Sequence, residues 1–346
     1  MSNNEIINVR LCDDSTRVEI LDQTALPNET KYIKLSSADE LFEAIHTLRV
    51  RGAPAIGIFA AYALYVLARQ IKADNFDVFK ADVLKFSAYL DSSRPTAVNL
   101  STQLRRMEKL VANSKGMAIP QILEAMRAEA DKIYNEDVRM NRIISEHGLT
   151  LIKDGCGIMT QCNAGPIATS RYGTALGPIL MGHERGLRLT AYICETRPLL
   201  QGARLTAYEL DRAGVDSTLI CDNMASIVMS RGKIDAVFAG CDRIARNGDV
   251  ANKVGTSSLA ILAKHYGIPF YIFGPSTTID MSCPTGADIE IELRSPEEIT
   301  ELFFERQMAP PNFKCYNPAF DVTTNNLITA IITEKGIFQS GVSLEL

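Results

Sequence analysis

From Gly155 onward the chain repeats one pattern that leaves few folds open. Short apolar runs, Gly157 to Thr160, Leu189 to Cys194, Thr218 to Cys221, Ala236 to Ala239 and Pro269 to Phe273, are separated by intervals long enough for a helix with its loops. A strand covered on both faces reads as such a run, and parallel neighbours need a crossover of helical length between them. The pattern therefore predicts βαβ units and a parallel sheet. Each run continues into polar or reactive residues: Gln161-Cys162-Asn163, Glu195-Thr196-Arg197-Pro198, Asp222-Asn223, Gly240-Cys241-Asp242-Arg243 and Gly274-Pro275-Ser276. Open α/β sheets bind ligands outside the carboxyl ends of their strands, so one cleft is expected to gather most of these groups.

The chain before Gly155 has a different texture. Leu41, Ala44, Ile45 and Leu48 recur at helical spacing, Ile58 to Ile71 is apolar and Ala-rich, and Gln121 to Glu146 reads as a long, charged helix. Turn signals at Ser92-Ser93-Arg94-Pro95 and from Lys115-Gly116 to Pro120 divide these stretches. Val18 to Leu21 and Tyr32 to Leu35 alternate as a hairpin does, with Pro27-Asn28 near the turn. The expected architecture is α/β: a mainly helical N-terminal domain with a small β appendage over 1–150, and a parallel-sheet domain over 151–346.

Composition narrows the function. With 36 Lys plus Arg against 41 Asp plus Glu the net charge is −5, and no dense basic run offers a surface to nucleic acid or an anionic membrane. A phosphate ligand has to be met by a few local Arg or Lys side chains. Eight cysteines without a C-x-x-C pair fit neither a disulfide scaffold nor a zinc or thioredoxin-type site, and point to a reducing cytosol. The opening residues are charged throughout and no apolar stretch reaches the ~18 residues of a membrane span, so a soluble, cytoplasmic protein is expected. His46, His147, His183 and His265 show no H-x-x-x-H or H-E-x-x-H spacing, so no metal site is expected.

Several residues are candidates for chemistry. Cys162 follows a predicted strand, and a helix start nearby would lower its pKa and make it a base or nucleophile; the alternative is a buried, inert thiol. The other cysteines, Cys241 included, read as core or loop thiols. Asp242 ends the Asp235 to Ala239 strand, where partial shielding from water would let the carboxyl hold a proton for general acid work; the alternative is a salt bridge to Arg243. Asn247 to Thr256 combines glycines, Lys253 and a helix start with Thr256 or Ser257 as N-cap, a combination that suits an anion, although the order is not that of a P-loop. Arg51-Gly52-Ala53-Pro54 and Arg94-Pro95-Thr96 offer two further places for a phosphate, although each segment taken by itself reads more readily as a turn with a surface arginine.

Six ordered blocks, R-G-A-P-A-I-G at 51–57, R-P-T-A-V-N-L at 94–100, C-N-A-G at 162–165, E-T-R-P-L-L-Q-G-A-R-L-T-A at 195–207, D-R-I-A-R-N-G-D-V-A-N-K-V-G-T at 242–256 and N-P-A-F-D-V-T at 317–323, make the chain resemble the methylthioribose-1-phosphate isomerase family. The larger group includes ribose-1,5-bisphosphate isomerases and regulatory subunits of the translation-initiation guanine-nucleotide exchange factor. The resemblance implies a C-terminal Rossmann-like domain, a homodimer, a sugar-phosphate substrate and no cofactor. It makes Cys162 and Asp242 the catalytic pair, and Arg51, Gly52, Ala53, Arg94, Gln201, Asn252 and Lys253 the substrate contacts. Two positions depart from the family pattern: Gln161 stands where histidine usually precedes the cysteine, and Cys241 where alanine usually precedes the aspartate.

The implied reaction is an aldose-ketose isomerisation of 5-methylthioribose 1-phosphate, with 5-deoxyribose 1-phosphate as the alternative substrate. A ribose 1,5-bisphosphate would demand a second basic cluster, which the net-acidic chain does not display. A non-catalytic regulatory subunit would have no use for Cys162, Asp242 and the basic residues together, and a nicotinamide-dependent oxidoreductase would need the absent G-x-G-x-x-G.

Overall fold

The structure is a computed structural model that describes residues 6–94 and 97–339. The chain forms two compact units, one of residues up to Arg139 together with Pro166–Arg171, the other of Met140–Gly165 together with the chain from Tyr172 onward.

The first unit begins with three strands, β1 (Val9–Leu11), β2 (Val18–Leu21) and β3 (Tyr32–Leu35), in one antiparallel sheet. The expected hairpin is β2–β3, with one further strand on its edge. Five helices follow: α1 (Ala38–His46), α2 (Ala53–Ala68), α3 (Phe76–Asp91), α4 (Val98–Asn113) and α5 (Ile119–Leu149). A capping box opens α1, where Glu40 donates its amide to the Ser37 hydroxyl and returns its carboxylate to the Ser37 amide. Every residue of α2 from Ala55 to Ala68 is buried. A helix apolar on all sides has to be enclosed, and α2 is the centre of the core to which β1, β2 and α1, α3 and α4 contribute.

The seam between the units falls inside α5, ahead of the boundary expected near His147 to Gly155. Ile122, Met126, Ala130 and Ile133 belong to the first core, whereas Ile144 and Leu149 pack into the core of the second unit. Uninterrupted helical periodicity conceals such a change of core.

The second unit follows the predicted alternation: β4 (Cys156–Thr160), α6 (Gly177–Glu184), β5 (Leu189–Cys194), α7 (Ala207–Ala213), β6 (Ser217–Ile220), α8 (Ala225–Ser230) and β7 (Ala236–Ala239). Next come β8 (Arg243–Ala245), β9 (Val250–Lys253), α9 (Thr256–Tyr266), β10 (Phe270–Phe273), β11 (Ile279–Asp280) and the short α10 (Glu297–Thr300). The last strands are β12 (Phe320–Thr323), β13 (Ala330–Thr333) and β14 (Gly336–Gln339). The main sheet has seven strands in the order β14-β13-β10-β7-β4-β5-β6, parallel except for β14. A smaller sheet, β11-β8-β9-β12, is built from the segments that follow β7 and β10 and from the N-P-A-F-D-V-T block. Among the described residues no helix is long and apolar enough to cross a membrane.

Candidate active site

The chain builds β4, β5 and β6 toward one edge of the main sheet, then returns to the other side of β4 and builds β7, β10 and β13 toward the opposite edge. Strand order therefore reverses between β4 and β7. Crossovers on the two sides diverge at such a point and leave a crevice beyond the carboxyl ends of the two strands. Cys162 follows β4 and Asp242 follows β7, and the strands are in register at Thr160 and Phe238. Neighbouring strands lie about 4.8 Å apart. The two candidate reacting residues thus leave adjacent strands at the switch point.

Each is held by its backbone. Cys162 has a φ of 60°, its amide donates to the Thr196 hydroxyl at 2.8 Å, and its carbonyl accepts from the Thr206 hydroxyl at 2.6 Å. The first helical element after Cys162 is a single 3₁₀ turn at Pro166–Ala168, and α6 begins at Gly177; the Cys162 backbone is held by side chains that follow β5. Beneath it, Asn163 donates to the Thr206 hydroxyl at 3.2 Å and to the buried Glu209 carboxylate. Gly165 lets the Glu209 carboxylate approach closely: a Cβ there would lie 2.3 Å from its Oε2 and the carboxylate would have to shift. The Asp242 amide donates to the Ala251 carbonyl at 3.0 Å, which ties the end of β7 to β9. Asp242 itself is exposed in the structure, not shielded as expected. Arg243 lies 3.8 Å from the Asp280 carboxylate.

Neighbouring thiols are chemically quieter. Burial, aided by the nearby Asp222 and Glu195 carboxylates, pushes Cys194 up to about 12. Burial, then the adjacent Asp242 charge, raises Cys241 as well. Neither is a thiolate at neutral pH.

Asn252 and Lys253 end β9. Asn252 donates to the Thr256 hydroxyl at 3.0 Å, and the buried Lys253 ammonium donates to the Ala319 carbonyl at 3.0 Å and lies 4.7 Å from the centre of the Phe320 ring. The N-cap position of α9 is Gly255, one residue before the expected Thr256 or Ser257. Its exposed amides are already met by a carboxylate from β12: Asp321 accepts from the Gly255 amide at 2.7 Å and from the Ser257 amide at 3.1 Å. This helix start therefore does not offer the free anion site read from the sequence. Burial raises the Asp321 pKa, against the hydrogen bonds and the Lys253 charge that lower it. Gln201 precedes a short π-helical turn at Gly202–Thr206. It is buried, and its Oε1 has no hydrogen-bond partner among the described residues.

The remaining candidates belong to the first unit. Gly52 is the N-cap of α2 with a φ of 96°, and a Cβ there would lie 2.3 Å from the Ala168 carbonyl oxygen. The turn admits only glycine. Arg51 and Arg94 flank helix starts and are half-buried; the Gln23 amide donates to the Arg51 carbonyl at 3.3 Å and the Ala97 amide to the Arg94 carbonyl at 3.0 Å. Ala53 is the first residue of α2. Pro95 and Thr96 of the second arginine block lie outside the described residues. Among the described residues no group of three or more His, Cys, Asp or Glu side chains is arranged to hold a metal ion.

Residues 49–340 match the model of the initiation factor 2 subunit family. The chain belongs to that family. Within it, the chain is 59% identical over 329 residues to a methylthioribose-1-phosphate isomerase of Symbiobacterium thermophilum, covering 95% of this chain and 92% of the relative. It is 54% identical to a 5-deoxyribose 1-phosphate isomerase of Petrotoga mobilis, covering 96% and 95%. Among solved structures, the crystal structure of 5-methylthioribose 1-phosphate isomerase from Pyrococcus horikoshii superposes with a TM-score of 0.90 at 41% identity, covering 96% of this chain and 92% of that one.

The residues that reading the sequence missed are those that hold the candidates. Asp321 sits in a block that carried no role, and Thr196, Thr206 and Glu209 gave no sign of bracing Cys162. Their contacts join segments 34 to 66 residues apart, which periodicity does not report.

Proposed function

We propose that the chain is an intramolecular oxidoreductase that converts 5-methylthioribose 1-phosphate to 5-methylthioribulose 1-phosphate in methionine salvage, as a cytoplasmic homodimer without a cofactor. One observation carries this reading: Cys162 and Asp242 leave adjacent strands at the switch point of a chain 59% identical to an isomerase of that name.

The chemistry explains why such a pair is needed. A phosphate on carbon 1 leaves no anomeric hydroxyl to deprotonate, so the ring cannot open as in an ordinary aldose. In our scheme Asp242, exposed in the free chain, is protonated in the substrate complex, where the sugar phosphate replaces water around it, and gives its proton to the ring oxygen while the bond from carbon 1 breaks. Cys162, as base, takes the proton from carbon 2. The resulting enol phosphate is reprotonated at carbon 1, and loss of the hydroxyl proton on oxygen 2 leaves the ketose. Arg51, Arg94 and Lys253 are assigned to the phosphate, by charge-assisted hydrogen bonds, and Gly52, Ala53, Gln201 and Asn252 to the register of the sugar.

The Petrotoga mobilis relative favours a second substrate, 5-deoxyribose 1-phosphate, which differs only at carbon 5. Steady-state assays on 5-methylthioribose 1-phosphate, 5-deoxyribose 1-phosphate and ribose 1,5-bisphosphate decide among them. The highest kcat/KM is expected for the methylthio sugar; a preference for the deoxy sugar transfers the assignment to the second reading, and turnover of none removes it. Light scattering on the purified protein tests the dimer.

A further inference from the structure

Gln161 lies between the last residue of β4 and Cys162, and is only 3% exposed. Its Nε2 donates to the Val254 carbonyl at 2.7 Å and approaches the Lys253 carbonyl at 3.5 Å. Two carbonyls around one end of the amide fix which atom is nitrogen, so the flip of this side chain is decided by its partners. The other end, Oε1, is buried and has no hydrogen-bond partner among the described residues. Folded proteins seldom leave a buried amide oxygen without a donor. This one is one residue from the proposed base and shares its amide group with the turn that follows Asn252 and Lys253.

We propose that Gln161 is a substrate contact: its nitrogen is anchored to the turn after β9, and its oxygen accepts a hydrogen bond from a ring hydroxyl of the sugar phosphate. The inference rests on the isomerase reading above and adds to it the residue by which this chain departs from the histidine of the family pattern. A hydroxyl is the matching group because the amide nitrogen is already engaged and only an acceptor remains. The ring hydroxyls at carbons 2 and 3 are common to all the candidate substrates, so Gln161 serves recognition of the pentose and not selection at carbon 5.

The test measures inhibition by ribose 1-phosphate, 2-deoxyribose 1-phosphate and 3-deoxyribose 1-phosphate in the wild-type enzyme and in Gln161→Met, with Gln161→Leu as a second variant, equally unable to hydrogen-bond, should methionine fail to fold. In the wild type, one deoxy analogue is expected to bind about five- to tenfold more weakly than ribose 1-phosphate, the range of a single neutral hydrogen bond. In the variant that penalty should vanish, because the partner of the missing hydroxyl is gone. A turnover-competent wild type whose deoxy penalties persist unchanged in the variant overturns the role of Gln161 alone. A wild type that neither binds nor isomerises any sugar 1-phosphate overturns the isomerase reading and this inference with it.

Discussion

Ser257 is bound twice to Asp321, through its amide at 3.1 Å and its hydroxyl at 2.8 Å, across 64 residues of chain. The Gly255 amide adds a third bond. The start of α9, and with it the end of β9 that carries Asn252 and Lys253, is thereby fixed to β12, whose Asp321 and Phe320 face Asn252 and Lys253 in the ladder. Replacing Asp321 by Ala leaves these amides without their acceptor and is expected to cost about 1–3 kcal/mol in urea unfolding at neutral pH. An unchanged midpoint and slope would show that water replaces the carboxylate at no cost.

The same carboxylate sets a pH trend of definite sign. Burial raises its pKa in the folded chain above the ordinary aspartate value of about 3.9. The folded state then holds the proton more tightly, so the group's contribution to stability is complete below that value and is lost as pH rises through the folded pKa. Asp321→Asn cannot titrate. Its stability relative to the wild type should therefore improve as pH is raised from about 4 to 7, read as the difference in unfolding free energy at several pH values. A flat or falling difference contradicts the assignment.

Gly52 tests the first unit by itself. Its φ of 96° and the 2.3 Å approach of a Cβ to the Ala168 oxygen leave a side chain neither a comfortable backbone nor room. Gly52→Ala should destabilise by about 2–3 kcal/mol, at the upper end of ordinary substitutions. Denaturant titration followed by circular dichroism measures it, and a loss within ~0.5 kcal/mol would mean that the 51–54 turn adapts freely.

How much of this was legible in the chain follows from how each signal arises. Five strands of the main sheet read as apolar runs: β4, β7 and β10 are buried at nearly every residue and so carry no alternation, whereas the edge strand β6 is exposed at Thr218 and Leu219; α2 stands out because a wholly enclosed helix has no polar face. The loops at the carboxyl ends of β4 and β7 were named from their polar residues alone. What remained hidden was long-range: the seam within α5, the capping of α9 by Asp321, and the bracing of Cys162 by Thr196 and Thr206. A helix start can be read from a Ser or Thr at the right spacing, but not when the acceptor comes from another strand. The exposure of Asp242 was missed for a related reason, since burial at a strand end depends on which loops fold over it.

Removing either proposed reacting group should affect turnover far more than binding. Cys162→Ser keeps a hydroxyl too weakly acidic to act as base, and Asp242→Asn keeps the shape but holds no acidic proton. Each is expected to lower kcat by about 10²–10⁴-fold, the range of a general acid or base. Affinity for the substrate, measured by calorimetry on the inactive variants, should change by less than about tenfold. Near-normal turnover in either variant would remove that residue from the mechanism.

The path of the migrating hydrogen distinguishes the proposed enol from a direct shift. In the enol route the carbon 2 proton passes to the Cys162 sulfur, and sulfur-bound protons exchange rapidly with water where the group is reached by solvent. Cys162 is only partly buried, so exchange is expected before the proton is delivered to carbon 1. Turnover in deuterated water should place deuterium at carbon 1 of the product, and substrate labelled with deuterium at carbon 2 should lose it to ordinary water. A hydride shift moves the carbon 2 hydrogen with its electron pair straight to carbon 1, with no stop on a protein group. Complete retention of the carbon 2 label at carbon 1, together with no uptake from solvent, would favour a hydride shift or a proton that the base carries to carbon 1 shielded from water. Nuclear magnetic resonance of the ketose product reads both experiments at the same carbon.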